Sequence, residues 1–166
     1  MREACEAYHA DSARRPRNEG SFLKMANEAI TKEEIMAVYP KVAETMADAL
    51  GCDVEDIKLD VSLIEGLDAE SIDFLDMVFR LERAFKIKIP RGKIVENARG
   101  DLPEAEFEQK GIVTEKGLAQ LRGYLSEIPD SRFKTPMKVA DIPRLFTPET
   151  FCKLVVRAQR ESQAAA

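Results

Sequence analysis

Apolar residues recur at helical spacing in four stretches of the chain, and these stretches set the expected elements. Ile35, Val38, Val42, Met46 and Leu50 fall on one helical face, and Thr31-Lys-Glu-Glu34 ahead of them has the spacing of a capping box. Pro40 lies inside this run, so the helix must either kink there or begin its main part there, where a missing N–H is harmless. Gly51 is placed to stop it. A second run, Leu75, Val78, Leu81 and Phe85, predicts a helix from Ser71, its expected N-cap, to about Phe85. Those four residues form its expected core face, with Glu82 outside and Ile72, Phe74 and Phe79 as additional apolar positions. Ile87-Lys-Ile89-Pro90 closes the helix, because the residue before a proline avoids helical torsions. Thr114 starts a third helix reaching about Glu127, with Leu118, Leu121 and Leu125 on one side. Thr147-Pro148-Glu149-Thr150 starts the last, which turns Phe151, Leu154, Val155 and Ala158 inward. No alternating strand pattern extends beyond Ile87–Ile89, so the fold class is all-α.

The segments between the helices differ in kind. Residues 52–70 are acidic, yet Val54, Ile57, Leu59, Val61, Leu63, Ile64 and Leu67 are too many apolar groups for a solvated linker, so this loop is expected to be pinned on the core. Asp53, Glu55, Asp56 and Asp60 within it lack the glycine and ligand spacing of a calcium-binding EF-hand loop. Residues 1–30 form a partly disordered extension, with Arg14 to Gly20 as a polar linker. Pro129-Asp130-Ser131 marks a turn, and residues 161–166 a disordered tail.

Composition narrows the chemistry. The 166 residues are 45% apolar, enough for a real core, and no stretch approaches the roughly 20 apolar residues of a membrane span. The first thirty residues lack the apolar run of a signal peptide, which points to the cytoplasm. Cys5, Cys52 and Cys152 make no C-x-x-C, and the single histidine, His9, offers with Cys5 only two metal ligands at i, i+4 spacing. The phosphate-cradling glycine motifs are absent. The net charge of −5 is uneven: residues 31–90 carry 14 acids and 7 bases, whereas 91–166 carry 11 acids and 13 bases. The acidic central segment repels nucleic acid and attracts basic protein patches, although acid excess also serves solubility alone.

The sharpest motif surrounds Ser71. Leu67-Asp68-Ala69-Glu70-Ser71-Ile72-Asp73-Phe74-Leu75 resembles the modification site of acyl carrier proteins, Leu-Gly-x-Asp-Ser-Leu. Val61-Ser-Leu-Ile-Glu65 is similar to the family's preceding loop, and Phe79-Arg-Leu81-Glu82-Arg-Ala-Phe85-Lys-Ile87-Lys-Ile89-Pro90 to its Leu-Glu-x-x-Phe-x-Ile-x-Ile-Pro run. Val139 to Ile142 and Phe146 to Thr150 resemble its third and fourth helices. The likeness covers roughly 35–90 and 137–158, interrupted by about 46 residues, 91–136, that the usual carrier lacks.

The resemblance implies an acyl-carrier-like four-helix bundle, over 31–160, with a long loop after the first helix and a helical insertion before the last ones. It implies that Ser71 carries covalent 4′-phosphopantetheine, an arm of roughly 20 Å when extended, whose thiol holds acyl intermediates as thioesters. The implied partners are a phosphopantetheinyl transferase and acyl-loading and acyl-elongating enzymes of fatty acid, lipid or polyketide type, met by a monomer. Glu70, Ile72, Asp73, Leu75, Asp76, Phe79 and Glu82 are its implied docking residues, with Arg83 standing where the family often has an acid. Asp68 replaces the family's glycine, and Glu70 its aspartate. The alternative is an unmodified helical adaptor, in which Ser71 serves only as a cap. Residues 91–136, basic to neutral, are too few to hold a core alone and should pack on the last helix or beside the 71–85 helix. There they would extend an apolar cavity for the acyl chain, add a docking surface, or elaborate the surface without function.

Overall fold

The computed structural model describes residues 29–89 and 93–165. Cys5, His9 and the polar linker of 14–20 lie outside the described residues, as does Pro90. Helix α1 (Lys32–Leu50) begins at the expected capping box: the Glu34 N–H donates to Thr31 Oγ1 at 3.3 Å and the Thr31 N–H to Glu34 Oε2 at 2.9 Å. The helix runs on through Pro40, which lies on its exposed side, so neither break nor restart occurs. Gly51 ends it at φ +67°, a left-handed conformation that only glycine adopts freely.

The 52–70 segment is indeed pinned. After a 3-10 turn at Val54–Asp56, Ile57 is fully buried and its carbonyl accepts the Tyr39 hydroxyl at 2.6 Å. A short helix α2 (Leu63–Leu67) buries Leu63, whose N–H donates to the Phe146 carbonyl at 3.1 Å. Helix α3 (Ser71–Phe85) follows, with the predicted limits but a different core face. Met77, Val78 and Leu81 are buried and Phe74 and Phe85 half-buried, while Leu75, expected inside, is 61% exposed. Glu82, expected outside, is buried and accepts the Ile89 N–H at 2.9 Å. The buried arc of α3 keeps Val78, Leu81 and Phe85 of the expected face, and Met77 rather than Leu75 completes it. Lys86 at φ +54° ends the helix one residue before the Ile87–Ile89 segment expected to close it.

The insertion contains helices α4 (Lys93–Arg99), α5 (Glu104–Phe107) and α6 (Glu115–Tyr124) and one two-stranded hairpin. Strands β1 (Glu108–Gln109) and β2 (Ile112–Val113) pair antiparallel, Glu108 opposite Val113. Lys110 and Gly111, both at positive φ, make the two-residue connection. The all-α expectation holds, since helices dominate the described residues and this two-residue hairpin is a minor addition, and the Ile87–Ile89 pattern forms no strand. Thr114 caps α6 by accepting the Gly117 N–H at 3.1 Å. Gly117 is required there, since a Cβ on it would lie 2.2 Å from the Phe107 carbonyl oxygen. Helix α6 stops at Tyr124, short of Glu127, because Ile128 precedes Pro129 and the chain turns toward the last helix.

Residues Val139–Leu145 form a 3-10 helix, and helix α7 (Pro148–Ala164) closes the bundle, reaching four residues into the stretch read as a tail. Helix α1 packs on both α3 and α7. As expected, Phe151, Leu154, Val155 and Ala158 are buried, but so are Cys152, Lys153 and Val156 on the remaining faces. The insertion covers that second side. Glu127 accepts the Thr150 hydroxyl at 2.7 Å and pairs with the Lys153 Nζ at 2.7 Å, and the Arg157 guanidinium lies 4.3 Å from the Tyr124 ring centre. Of the two packing sites expected for the insertion, the structure selects the last helix.

Candidate functional site

The site is built where α2 hands the chain to α3. Asp68 adopts φ +53°, and the Ala69 N–H donates to the Leu63 carbonyl at 2.9 Å. Ala69 is buried and anchors the turn, so the next residues emerge at the surface. The left-handed torsion at Asp68 is the physical reason a glycine suits this position; aspartate is among the few other residues that tolerate it.

Ser71 is the first helical residue rather than the N-cap. The cap is Glu70, whose N–H donates to Asp73 Oδ2 at 2.7 Å. The Ser71 side chain is exposed, and among the described residues none makes a hydrogen bond with its hydroxyl. It therefore projects from the N-terminal end of a 15-residue helix, where backbone N–H groups lack helical acceptors and the dipole is positive. That setting suits a phosphodiester on the serine oxygen.

The outer face of α3 continues from this serine. Ile72 is 69% exposed, Leu75 61% and Phe79 44%, spaced i, i+3, i+7, so they form one apolar stripe. Asp73 and Asp76 flank it, half-buried, with Asp76 paired to Arg80 at 2.7 Å. The structure thus brings together six of the seven sequence-predicted docking residues, Glu70, Ile72, Asp73, Leu75, Asp76 and Phe79, beside Ser71. It withdraws the seventh, Glu82, whose carboxylate braces the Ile87–Ile89 segment. Its pairing with a backbone amide seven residues away has no signature in local periodicity.

The described residues contain no histidine, and among them no group of three or more metal-ligating side chains is found. Cys152 is buried in α7 and its thiol is pushed up to about 12 by burial, which leaves it unreactive at neutral pH. No described helix is long and apolar enough to cross a membrane.

Residues 40–99 match the family model described as a phosphopantetheine attachment site. The acyl carrier protein of Bdellovibrio bacteriovorus is 36% identical over 55 residues, which are 33% of this chain and 70% of that protein. That of Clostridium acetobutylicum is 40% identical over 53 residues, 32% of this chain and 69% of its own length. Acyl carrier protein AcpXL of Rhizobium meliloti is 41% identical over 56 residues, 34% of this chain and 59% of its own. No solved structure matches the chain at a significant level. The helical bundle, the serine-bearing turn and these likenesses agree: the chain belongs to the acyl carrier protein family, carriers of acyl intermediates on covalent 4′-phosphopantetheine rather than enzymes.

Proposed function

We propose that Ser71 is the residue that holds the phosphopantetheine, and that the apolar stripe of α3 with its flanking acids is where partner enzymes dock. The observation that carries this reading is the exposed Ser71 hydroxyl at the first position of α3, in register with exposed Ile72, Leu75 and Phe79. When bound, the group supplies a thiol on a long tether, which holds an acyl chain as a thioester. The chain's own residues do the rest. Ala69 and Leu63 fix the turn, Asp73 holds the Glu70 N–H, and the helix start accommodates the phosphate charge. Among the described residues no histidine is present to take the serine proton, and a phosphopantetheinyl transferase supplies the base and the activated donor. Glu70, Asp73 and Asp76 favour partners with basic patches, chiefly by speeding encounter. The partners are that transferase and the loading and elongating enzymes of fatty acid, lipid or polyketide synthesis, met by a monomer in the cytoplasm.

The test is Ser71→Ala in the full chain, coexpressed with a transferase of broad specificity. Because Ser71 is exposed and caps nothing, the variant should keep its stability within about 0.5 kcal/mol. Intact mass should show the gain of one phosphopantetheine in the parent and none in the variant. A mass gain that persists in Ser71→Ala overturns the assignment.

A further inference from the structure

Between the C-terminal half of α3 and the end of α7 lies a cleft of about 560 Å³ that borders the docking stripe at Phe79 and to which neither acyl attachment nor docking gives a role. Ile87 and Ala158 are buried beneath it and Phe79 forms one wall. Arg83, Lys86 and Lys88 line it as well, the Arg83 guanidinium 5.7 Å from the Phe79 ring centre. None of the three cations is in an ion pair among the described residues. Among the described residues two carboxylates reach the same cleft: Glu82, buried and accepting the Ile89 N–H, and Glu161, which is exposed.

The cleft is on the Ser71 side of α3 and within reach of it. At about 1.5 Å per residue, Phe79 is ~12 Å and Lys86 ~22 Å along the axis from Ser71. At about 100° per residue, Leu75, Phe79, Glu82 and Lys86 all fall within ~80° of Ser71 around the helix. The exposed side chains of Leu75 and Phe79 line the way between them. The interior beside the serine, by contrast, is filled. The rings of Phe74, Phe146 and Phe151 pack with centres 6.1 to 6.4 Å apart, and Met77, Leu81 and Ile142 are fully buried. An acyl chain entering there would have to displace close-packed side chains.

We propose that this cleft receives the far end of the acyl chain carried on Ser71, and that Arg83, Lys86 and Lys88 select chains ending in a carboxylate or similar anion over plain alkyl chains. The proposal rests on the Ser71 assignment. Leu75, Phe79 and Ile87 offer apolar contact to the methylene portion, and the three cations meet the terminal charge. Among the described residues, none from the 91–136 insertion lines the cleft, and selection is assigned to the side chains of the carrier bundle that do.

The full-length chain is loaded by a broad transferase from two coenzyme A thioesters, octanoyl and the dicarboxylic acyl group of the same length. Intact mass is read first; failure of both to load overturns the Ser71 assignment and is distinct from failure of the cleft. Amide chemical shifts are then compared with those of the chain bearing the unacylated arm. The amides of Phe79, Ile87, Lys88, Ala158 and Ser162 should move for the dicarboxylic chain by at least twice as much as for octanoyl. Lys86→Glu/Lys88→Glu should load equally and lose at least half of that shift, and raising the salt should diminish it in the parent. Arg83→Glu serves if the double variant does not fold. Shifts confined to the Phe74, Phe146 and Phe151 cluster, or cleft shifts equal for the two chains and unaltered by charge reversal, overturn the proposal.

Discussion

Asp68 shows how one residue's torsion decides a sequence preference. At φ +53° an L side chain is strained by roughly 1 kcal/mol or somewhat more, and glycine is not. The Asp68 side chain is exposed, and what the fold asks of this position is the left-handed torsion. We expect Asp68→Gly to stabilise the fold by about 0.5–1 kcal/mol after the added freedom of the unfolded chain is counted, and Asp68→Val to destabilise it by more than that. The urea midpoint checks both; a loss of stability in Asp68→Gly would show that the carboxylate holds something. The motif around Ser71 was legible because it is local: the serine, its acidic neighbours and the leucine–isoleucine frame lie within a dozen positions. Its misreading was also local. Ser71 satisfies every preference for a cap, yet the helix starts one residue earlier than that role requires, because Glu70 and Asp73 close the end first.

Among elements, α7 departs most from a surface helix. A bundle helix ordinarily buries one stripe and leaves the rest wet. Here the circumference from Thr150 to Val156 is buried, including the charged Lys153, whose side chain is 10% exposed against 2% for its partner Glu127. An ion pair this enclosed adds little net stability against apolar substitutes, but removing one partner strands the other charge. Lys153→Met should therefore cost about 3–5 kcal/mol, and Lys153→Met combined with Glu127→Leu distinctly less. Chemical denaturation of the two variants measures this; equal losses would mean that the pair does not couple α7 to the insertion. Glu127 was assigned to the end of α6 by its place in the sequence, and it is the turn after Tyr124 that frees it to reach α7.

In the whole molecule, insertion and carrier share one core. Phe107, Leu118, Leu121, Leu125, Ile128 and Phe133 of the insertion join Val42, Met46, Leu81, Phe151 and Val155 of the bundle in a single continuous cluster of buried side chains. The chain should then unfold in one cooperative transition. Replacing 95–134 by a short Gly-Ser bridge should lower the melting temperature and raise dye binding to exposed apolar surface, since the second face of α7 loses its cover. Calorimetry and dye fluorescence test this; two separate transitions in the parent, or an unchanged melting temperature in the deletion, would show that the insertion is an independent appendage. Nor does the insertion present an opposite charge to partners, for 91–136 carries eight acids and eight bases.

By itself the sequence determined the helices with strong caps and periodic apolar faces, the position of the Ser71 motif and the need for the insertion to find a partner surface. Each of these depends on neighbours within one or two helical turns, where spacing translates directly into a face. Only the tertiary structure decided which arc of α3 turns inward, since Leu75 and Met77 are equally apolar and packing against α1 chooses between them. It also decided that Glu82 is buried against a backbone amide, that the insertion rests on α7, and that Arg83, Lys86 and Lys88 converge with Ala158 on one cleft. Those outcomes join residues from 7 to 75 positions apart, and packing energies that no local pattern encodes select among them.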